Sequence, residues 1–355
     1  MKFNITTLIL SKLLSLKSFE KVFHLLTYGE SVVKIFVTAE ILPQGIEELK
    51  NAGHQVEVWN QSHQIPYEQL LQKAKDFDAL ITMLSDQIDR NFLEVNKHLK
   101  VITNYAVGHN NIDSKAATEL GIAIGNTPDV LTEATADLAL SLLLNVSRQI
   151  THAQKQIEAG HWTKWGAMDY LGHSLRGKTL GIFGAGRIGR CFATTCARAF
   201  SMNILYCARS PKTDFENELG AKRVEFKELL EQSDVVSVHC DLNDSTKELF
   251  NAESFSLMKP SSIFINTARG GVHNESDLIS ALSNSKIWGA GLDVTNPEPM
   301  SANSPLLTIP TVAVSPHIGS ATITARNAMS SIVAQNILKA FEQKELIGDV
   351  NKLYS

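Results

Sequence analysis

The run Thr179-Leu180-Gly181-Ile182-Phe183-Gly184-Ala185-Gly186-Arg187-Ile188-Gly189-Arg190 constrains this chain more than any other segment. It reads as a short apolar strand, a GxGxxG turn and the first turn of an amphipathic helix. Gly184 permits the tight turn, Gly186 lets the backbone approach a pyrophosphate, and Gly189 lets the helix pack close to the strand. Phosphates then sit on the free N–H groups and the positive dipole end of that helix, beside Arg187 and Ile188. GxGxxG alone is a weak signal, because glycine turns are common. Here both flanks fit, and a dinucleotide site is expected. The motif lies mid-chain, so a substantial block of sequence precedes the nucleotide fold.

The 355 residues suffice for two domains with separate cores. The net charge is −4, with no basic excess and no aromatic-interleaved basic stripe, which argues against a nucleic-acid partner. No apolar run reaches the roughly 18 residues that span a bilayer, so integral membrane association is not expected. Cys191, Cys196, Cys207 and Cys240 form no CxxC and no Cys/His spacing suited to a metal. They read as small buried hydrophobes in a reducing cytoplasm, with no metal site expected. Residues 1–32 stand apart. Lys12, Lys17 and Lys21 interrupt what would be a signal-peptide core. A basic amphipathic helix is one reading of this segment, and a poorly ordered leader is the plainer one.

The folded chain is expected to start at Val33–Thr38, a β-branched run suited to a strand. Further strands are expected at 56–59, 79–82, 101–104 and 122–124, with a helix at 67–75. This βα alternation predicts a parallel sheet covered on both faces. A helical stretch from Leu131 to about Ala159 follows, apolar on more than one face, as suits a domain or subunit boundary. After the glycine run, strands are expected at 203–206, 235–238, 262–265, 289–292 and 312–314. A last helix, about 322–343, could return to the first domain.

Three polar residues each follow a strand of the second series: Arg269, Glu298 and His317. In open α/β sheets ligands bind beyond the carboxyl ends of strands. Singly, these could be a surface arginine, a solvated loop acid and a satisfied loop histidine. Their joint placement points instead to one crevice edge.

With these residues in hand, the chain resembles the D-isomer-specific 2-hydroxyacid dehydrogenases over roughly 33–355. The matching stretches are NYAVGHNNID (104–113), NTPDVLTEATADLAL (126–140), GIFGAGRIGR, LMKPSSIFINTARGG (257–271), GAGLDVTNPEP (289–299) and SPHIGSAT (315–322). Within that family it looks most like the glyoxylate/hydroxypyruvate reductase branch, with 2-ketogluconate reductases as near relatives. The resemblance implies that Arg269 holds the carboxylate and polarises the carbonyl of a small 2-oxoacid, through paired N–H donors. It implies that the backbone N–H groups of Val107 and Gly108 bind the carboxylate, with Leu84 and Ser85 in a second substrate loop. His317 would donate a proton to the carbonyl oxygen, and Glu298 beside it would favour the imidazolium. Asp293 matches a position beside the nicotinamide amide, and His239, Thr267 and Ala268 fall among cofactor contacts with Arg269 and His317. One departure stands out. Asp241 occupies a place where the family usually carries proline in a cofactor-contacting loop, and it is expected to point away.

The fold class expected is α/β, two Rossmann-like doubly wound parallel-sheet domains flanking a cleft. The substrate domain would comprise 33–128 and 319–355, and the dinucleotide domain 129–318. A homodimer built on the nucleotide domain is expected, with Trp165 either entering the neighbouring subunit's pocket or buried in the interface. NAD-specific sites carry an acid about 20 residues past the glycines. Here the strand at 203–206 runs into Cys207-Ala208-Arg209-Ser210-Pro211-Lys212, with no acid at 207 or 208. Arg209 and Ser210 can instead hold a 2′-phosphate, so NADP(H) is the preferred cofactor, with NAD(H) possible. The competing expectation is a regulatory, corepressor-like protein on the same fold, since fold alone does not decide function. A formate dehydrogenase relative is disfavoured, because that branch carries glutamine where Glu298 stands.

Overall fold

The computed structural model describes residues 32–354. The leader expected at 1–32 therefore lies outside the described residues, except for its last position. The chain forms two compact units. One contains the residues up to Pro128 together with Asn327–Ser355, and the other is Asp129–Arg326. The second division falls inside the helix Ile323–Phe341 rather than near Gly319, because the chain passes from one unit to the other within a continuous helix.

The first unit holds a parallel sheet of β1 (Lys34–Val37), β2 (Gln55–Val58), β3 (Ala79–Thr82), β4 (Val101–Asn104) and β5 (Ala123–Gly125). Its order is β2-β1-β3-β4-β5. Strands β3 and β4, ALIT and VITN, are buried at every position. That pattern belongs to strands covered on both faces, and it explains why they read as continuous apolar runs. Asp89 and Asp113 open the helices Arg90–Val95 and Ser114–Glu119 by accepting from the N–H groups of Phe92 and Ala116. Phe36, Leu80, Phe92, Ile102 and Ile124 form the core between sheet and helices. The C-terminal segment covers the β5 edge: Val350 N–H donates to Ile124 O at 3.0 Å, and Ile124 N–H donates to Asn351 Oδ1 at 2.6 Å. In this sheet the order reverses between β1 and β3, which makes the carboxyl ends of those two strands its ligand-accepting edge.

The second unit holds β6 (Thr179–Phe183), β7 (Asn203–Cys207), β8 (Lys222–Arg223), β9 (Val235–Val238), β10 (Ile263–Asn266), β11 (Gly289–Leu292) and β12 (Val312–Val314). All are parallel, in the order β12-β11-β10-β9-β6-β7-β8. The reversal lies between β6 and β9, so the glycine turn that follows β6 opens at the switch point. Two elements differ from expectation. The long helix divides into Thr132–Arg148 and Ile150–Glu158, because Gln149 adopts a left-handed conformation with φ of 54°. Asn145 Oδ1 caps the new start by accepting from Thr151 N–H at 3.0 Å. The edge strand β8 is only two exposed charged residues, and nothing in an apolar pattern marks it.

Candidate active site

The glycine turn has the geometry its residues dictate. Gly184 has φ of 95°, and a Cβ there would lie 2.6 Å from His239 O. Only glycine fits both the conformation and the space. A Cβ on Gly189 would lie 2.5 Å from Gly184 O, so this residue sets how closely the helix Arg187–Phe200 packs on β6. Gly186, the N-cap, faces open space within 4 Å, and no side chain caps the helix. The first N–H groups are thus unhindered by side chains, which fits a pyrophosphate. The Thr267 hydroxyl is buried with no partner among the described residues. These features fit the nicotinamide dinucleotide expected there.

The polar constellation sits at the carboxyl ends of β9 to β12. After β10, Asn266 organises the turn: its Oδ1 accepts from Ala268 N–H at 2.9 Å, and its Nδ2 donates to Arg269 O at 3.0 Å. Arg269 Nη1 donates to Ala268 O at 2.7 Å. Gly270 packs so closely that a Cβ would lie 1.9 Å from Thr295 O, seating this turn against the loop that carries Glu298. Burial pulls the Arg269 guanidinium below its ordinary pKa, while the charges of Glu298 and Asp241 oppose that shift. Asp241, expected to point away from the cofactor, is therefore close enough for its charge to act on Arg269.

Glu298 Oε1 pairs with His317 Nδ1 in a short hydrogen bond. Burial pushes the Glu298 carboxyl up, but the His317 hydrogen bond and charge, with help from Thr295 and Arg269, leave it below the usual range. His317 has φ of 54°, and Asp293 holds its loop. Asp293 accepts from Ser315 Oγ at 2.6 Å and from the N–H groups of Ile318 and Gly319 at 2.8 Å each. His317 N–H donates to the Asp293 carbonyl at 2.9 Å. Burial raises the Asp293 pKa, and those donors counter it. Two other histidines stand at strand ends. Burial pushes His239, which follows β9, down to about 3, and His273, which follows β10, down to about 4. Both are neutral near pH 7. Of the three, His317 is the one paired with a carboxylate.

At the end of β7, Arg209 and Ser210 are exposed, and Lys212 Nζ donates to Ser210 Oγ at 3.3 Å. Arg223 of β8, which sequence reasoning did not single out, donates from Nε to Ala208 O at 3.1 Å and from Nη2 to Arg209 O at 3.4 Å. No acid follows β7 before Pro211.

In the first unit, Leu84 and Ser85 follow β3, and Val107 and Gly108 follow β4. The carbonyls of the second pair are engaged: Asn126 Nδ2 donates to Val107 O at 2.7 Å, and Asn104 Nδ2 donates to Gly108 O at 2.8 Å. Their N–H groups donate to no acceptor among the described residues. A turn held by its carbonyls presents its amides, which suits an anionic ligand. Asn104 and Asn111, which hold these loops, were visible only as letters of a motif, and Asp86 fell in none.

Among the described residues, no group of three or more His, Cys, Asp or Glu side chains could hold a metal ion. No helix among them is long and apolar enough to cross a membrane.

A parallel sheet with its glycine turn at the switch point, followed by Arg, Glu and His on successive strand ends, defines a nicotinamide-dependent oxidoreductase. The description "D-isomer specific 2-hydroxyacid dehydrogenase, NAD binding domain" matches residues 140–319. The chain belongs to the D-isomer-specific 2-hydroxyacid dehydrogenase family and is an NAD(P)-dependent oxidoreductase acting on a CH–OH donor. It is 44% identical over 317 residues to a glyoxylate reductase of Pyrococcus furiosus, covering 88% of this chain and 93% of that protein. Among solved structures, a glyoxylate reductase from Paecilomyes thermophila superposes with a TM-score of 0.81 at 34% identity, over 91% of this chain and all of that one (100%). An NADPH-dependent glyoxylate/hydroxypyruvate reductase from Sinorhizobium meliloti, in complex with NADP and malonate, gives 0.79 at 32% identity, over 90% and 97% of the chains. The resemblance and the α/β class expected from sequence are borne out.

Proposed function

We propose that this protein reduces small 2-oxoacids, glyoxylate and hydroxypyruvate first among them and 2-ketogluconate as a further candidate, to D-2-hydroxyacids with NADPH as the preferred cofactor. The observation that carries the reading is the Glu298–His317 pair. A carboxylate on Nδ1 fixes the ring's tautomer and leaves Nε2 to face a substrate oxygen. The relatives above, all reductases rather than corepressors, support the substrate class.

Bound nicotinamide supplies the hydride. His317 delivers the proton to the carbonyl oxygen from Nε2, and Glu298 stabilises the imidazolium before transfer. Arg269 polarises the carbonyl and binds the carboxylate. Its partial burial makes those contacts stronger than they would be in water. The Val107 and Gly108 amides bind the carboxylate, with Leu84 and Ser85 shaping the pocket for the substrate's remaining substituents. Asp293, whose oxygens accept from Ser315, Ile318 and Gly319, sets the His317 loop and, by the family resemblance, would stand beside the nicotinamide amide when the cofactor is bound.

Cofactor preference rests on Arg209 and Ser210, with Lys212 next to them. No carboxylate stands there to repel a 2′-phosphate, and a guanidinium can clamp it. The protein acts as a cytoplasmic homodimer assembled through the nucleotide domain. Supporting this, Ile150, Ile157, Trp162, Trp165, Met168 and Leu171 of that unit expose more than half of their surface, from 53% to 80%. Steady-state kinetics with both cofactors tests the reading. NADPH should give the higher kcat/KM, and Arg209→Ala should raise KM for NADPH far more than for NADH. Equal kcat/KM for the two cofactors in the wild type would refute the cofactor assignment.

A further inference from the structure

A chain of half-buried amide contacts joins the two loops proposed to bind substrate. Asn104, fully buried at the end of β4, accepts from Thr82 Oγ1 at 3.1 Å. Its amino group donates to Gly108 O at 2.8 Å and to Asn111 Oδ1 at 3.1 Å. Asn111 in turn donates to Met83 O at 3.1 Å and to Asp86 O at 2.9 Å, the two ends of the loop that carries Leu84 and Ser85. Asp86, 2% exposed, closes that loop by accepting from Met83 N–H at 2.7 Å and, in a short hydrogen bond, from Thr38 Oγ1. Thr38 follows β1, so the chain of contacts lies at the β1/β3 switch point.

The orientation of the Asn111 amide is determined. The carbonyls of residues 83 and 86 require its amino group on their side, which leaves its oxygen for the Asn104 amino group; the Asn111 amino group also lies 3.3 Å from Asn104 Oδ1. Because Asn104 also holds the Gly108 carbonyl, one amide ties the two loops into a single unit. No other residue type of that size offers an acceptor on one side and two donors on the other.

We propose that Asn111 is a positioning residue for the substrate carboxylate: by joining the 83–86 loop to Asn104, which holds the Gly108 carbonyl, it seats the loop of Leu84 and Ser85 against the turn that carries the Val107 and Gly108 N–H groups. This rests on the reading that those amides bind a 2-oxoacid. Removing Asn111 leaves the amides in place, held through the Ala106 and Val107 carbonyls, but unties the 83–86 loop from their turn, so the loss falls on how the two loops together grip the anion. Binding of NADPH, in the other compact unit, is untouched.

The test compares glyoxylate with its uncharged methyl ester in wild type, Asn111→Ala and Asn111→Asp, with NADPH affinity measured by nucleotide fluorescence. Wild type should favour the acid. Asn111→Ala should raise KM for glyoxylate by about 10-fold, the scale of one lost hydrogen bond. Its kcat should stay within about 3-fold, its NADPH affinity should be unchanged, and most of the acid-over-ester preference should vanish. Asn111→Asp, which turns a carboxylate oxygen toward two carbonyls, should raise KM further. Should Asn111→Ala fail to fold, Asn111→Ser, which retains one donor, carries the same comparison. A merely structural loss would lower acid turnover, ester turnover and NADPH binding together, and that result overturns the inference. So does an Asn111→Ala enzyme with wild-type KM and wild-type preference. If wild type itself does not distinguish acid from ester, the carboxylate-binding reading fails, and the role of Asn111 fails with it.

Discussion

Alanine at the second and third glycines of the fingerprint should act through different causes, lost ligand space at Gly186 and overpacking at Gly189. At Gly189 an added Cβ meets Gly184 O at 2.5 Å, Ile182 Cγ2 at 3.0 Å and His239 Cβ at 3.2 Å. A carbon–oxygen contact wants well over 3 Å, and two of these neighbours are core or backbone atoms. The helix Arg187–Phe200 must therefore move away from β6. Overpacking of this kind costs about 1–3 kcal/mol, and the better helix propensity of alanine returns about 1 kcal/mol. The net is a loss of about 0–2 kcal/mol. At Gly186 the added Cβ meets nothing within 4 Å, and its φ of −80° is open to any residue. Replacing a glycine N-cap by alanine costs about 0.5–1 kcal/mol at most. The methyl group then projects into the space the pyrophosphate would fill. NADPH titrations carry the test, with thermal melts as the control for folding: Gly186→Ala should stay within about 1 kcal/mol of wild type in stability with NADPH affinity down at least about 10-fold, and Gly189→Ala should lose at most about 2 kcal/mol. A Gly186→Ala protein that binds NADPH as tightly as wild type would refute the placement of the pyrophosphate.

Loss of His317 to alanine should lower kcat by roughly 10²–10⁴-fold, the range for a missing general acid, and Arg269→Ala should impair both kcat and KM. Glu298→Gln should move the alkaline limb of the reduction profile to lower pH, read from kcat between pH 5 and 10. His273 offers a test of stability. Burial lowers its folded pKa to about 4 from 6.5. The unfolded chain therefore takes up the proton first, and stability falls as pH drops through that window by about 3 kcal/mol. Denaturant melts at pH 7 and pH 4.5 should show His273→Gln losing less than wild type, and equal losses would remove His273 as a cause. Sedimentation at micromolar concentration should give a dimer, and a monomer would sink the assembly proposed here.

What the sequence made legible follows from how local each signal is. The glycine turn depends on residues within one βα unit, so its geometry could be read in advance. Arg269, Glu298 and His317 each follow an apolar run, and strand ends in a parallel sheet share one edge. By contrast, Asn111 bonds to residues 25 and 28 positions away, and those contacts exist only once β3 and β4 are in register. The break at Gln149 was hidden because glutamine is no turn former, and its left-handed backbone is stabilised by the cap from Asn145. Strand β8 carries no apolar residue, and Arg223 gains its place only by pairing with Tyr206 of β7. The Asp293 clamp on the His317 loop was likewise invisible, since its partners lie 22 to 26 residues on.

The most direct test is NADPH oxidation with hydroxypyruvate, followed in wild type and His317→Ala, with chiral chromatography of the product. The account predicts D-glycerate formed in proportion to NADPH consumed, and turnover lost by roughly 10²-fold or more in the variant. Absence of turnover with any small 2-oxoacid, formation of the L-isomer, or a His317→Ala enzyme as fast as wild type would contradict it.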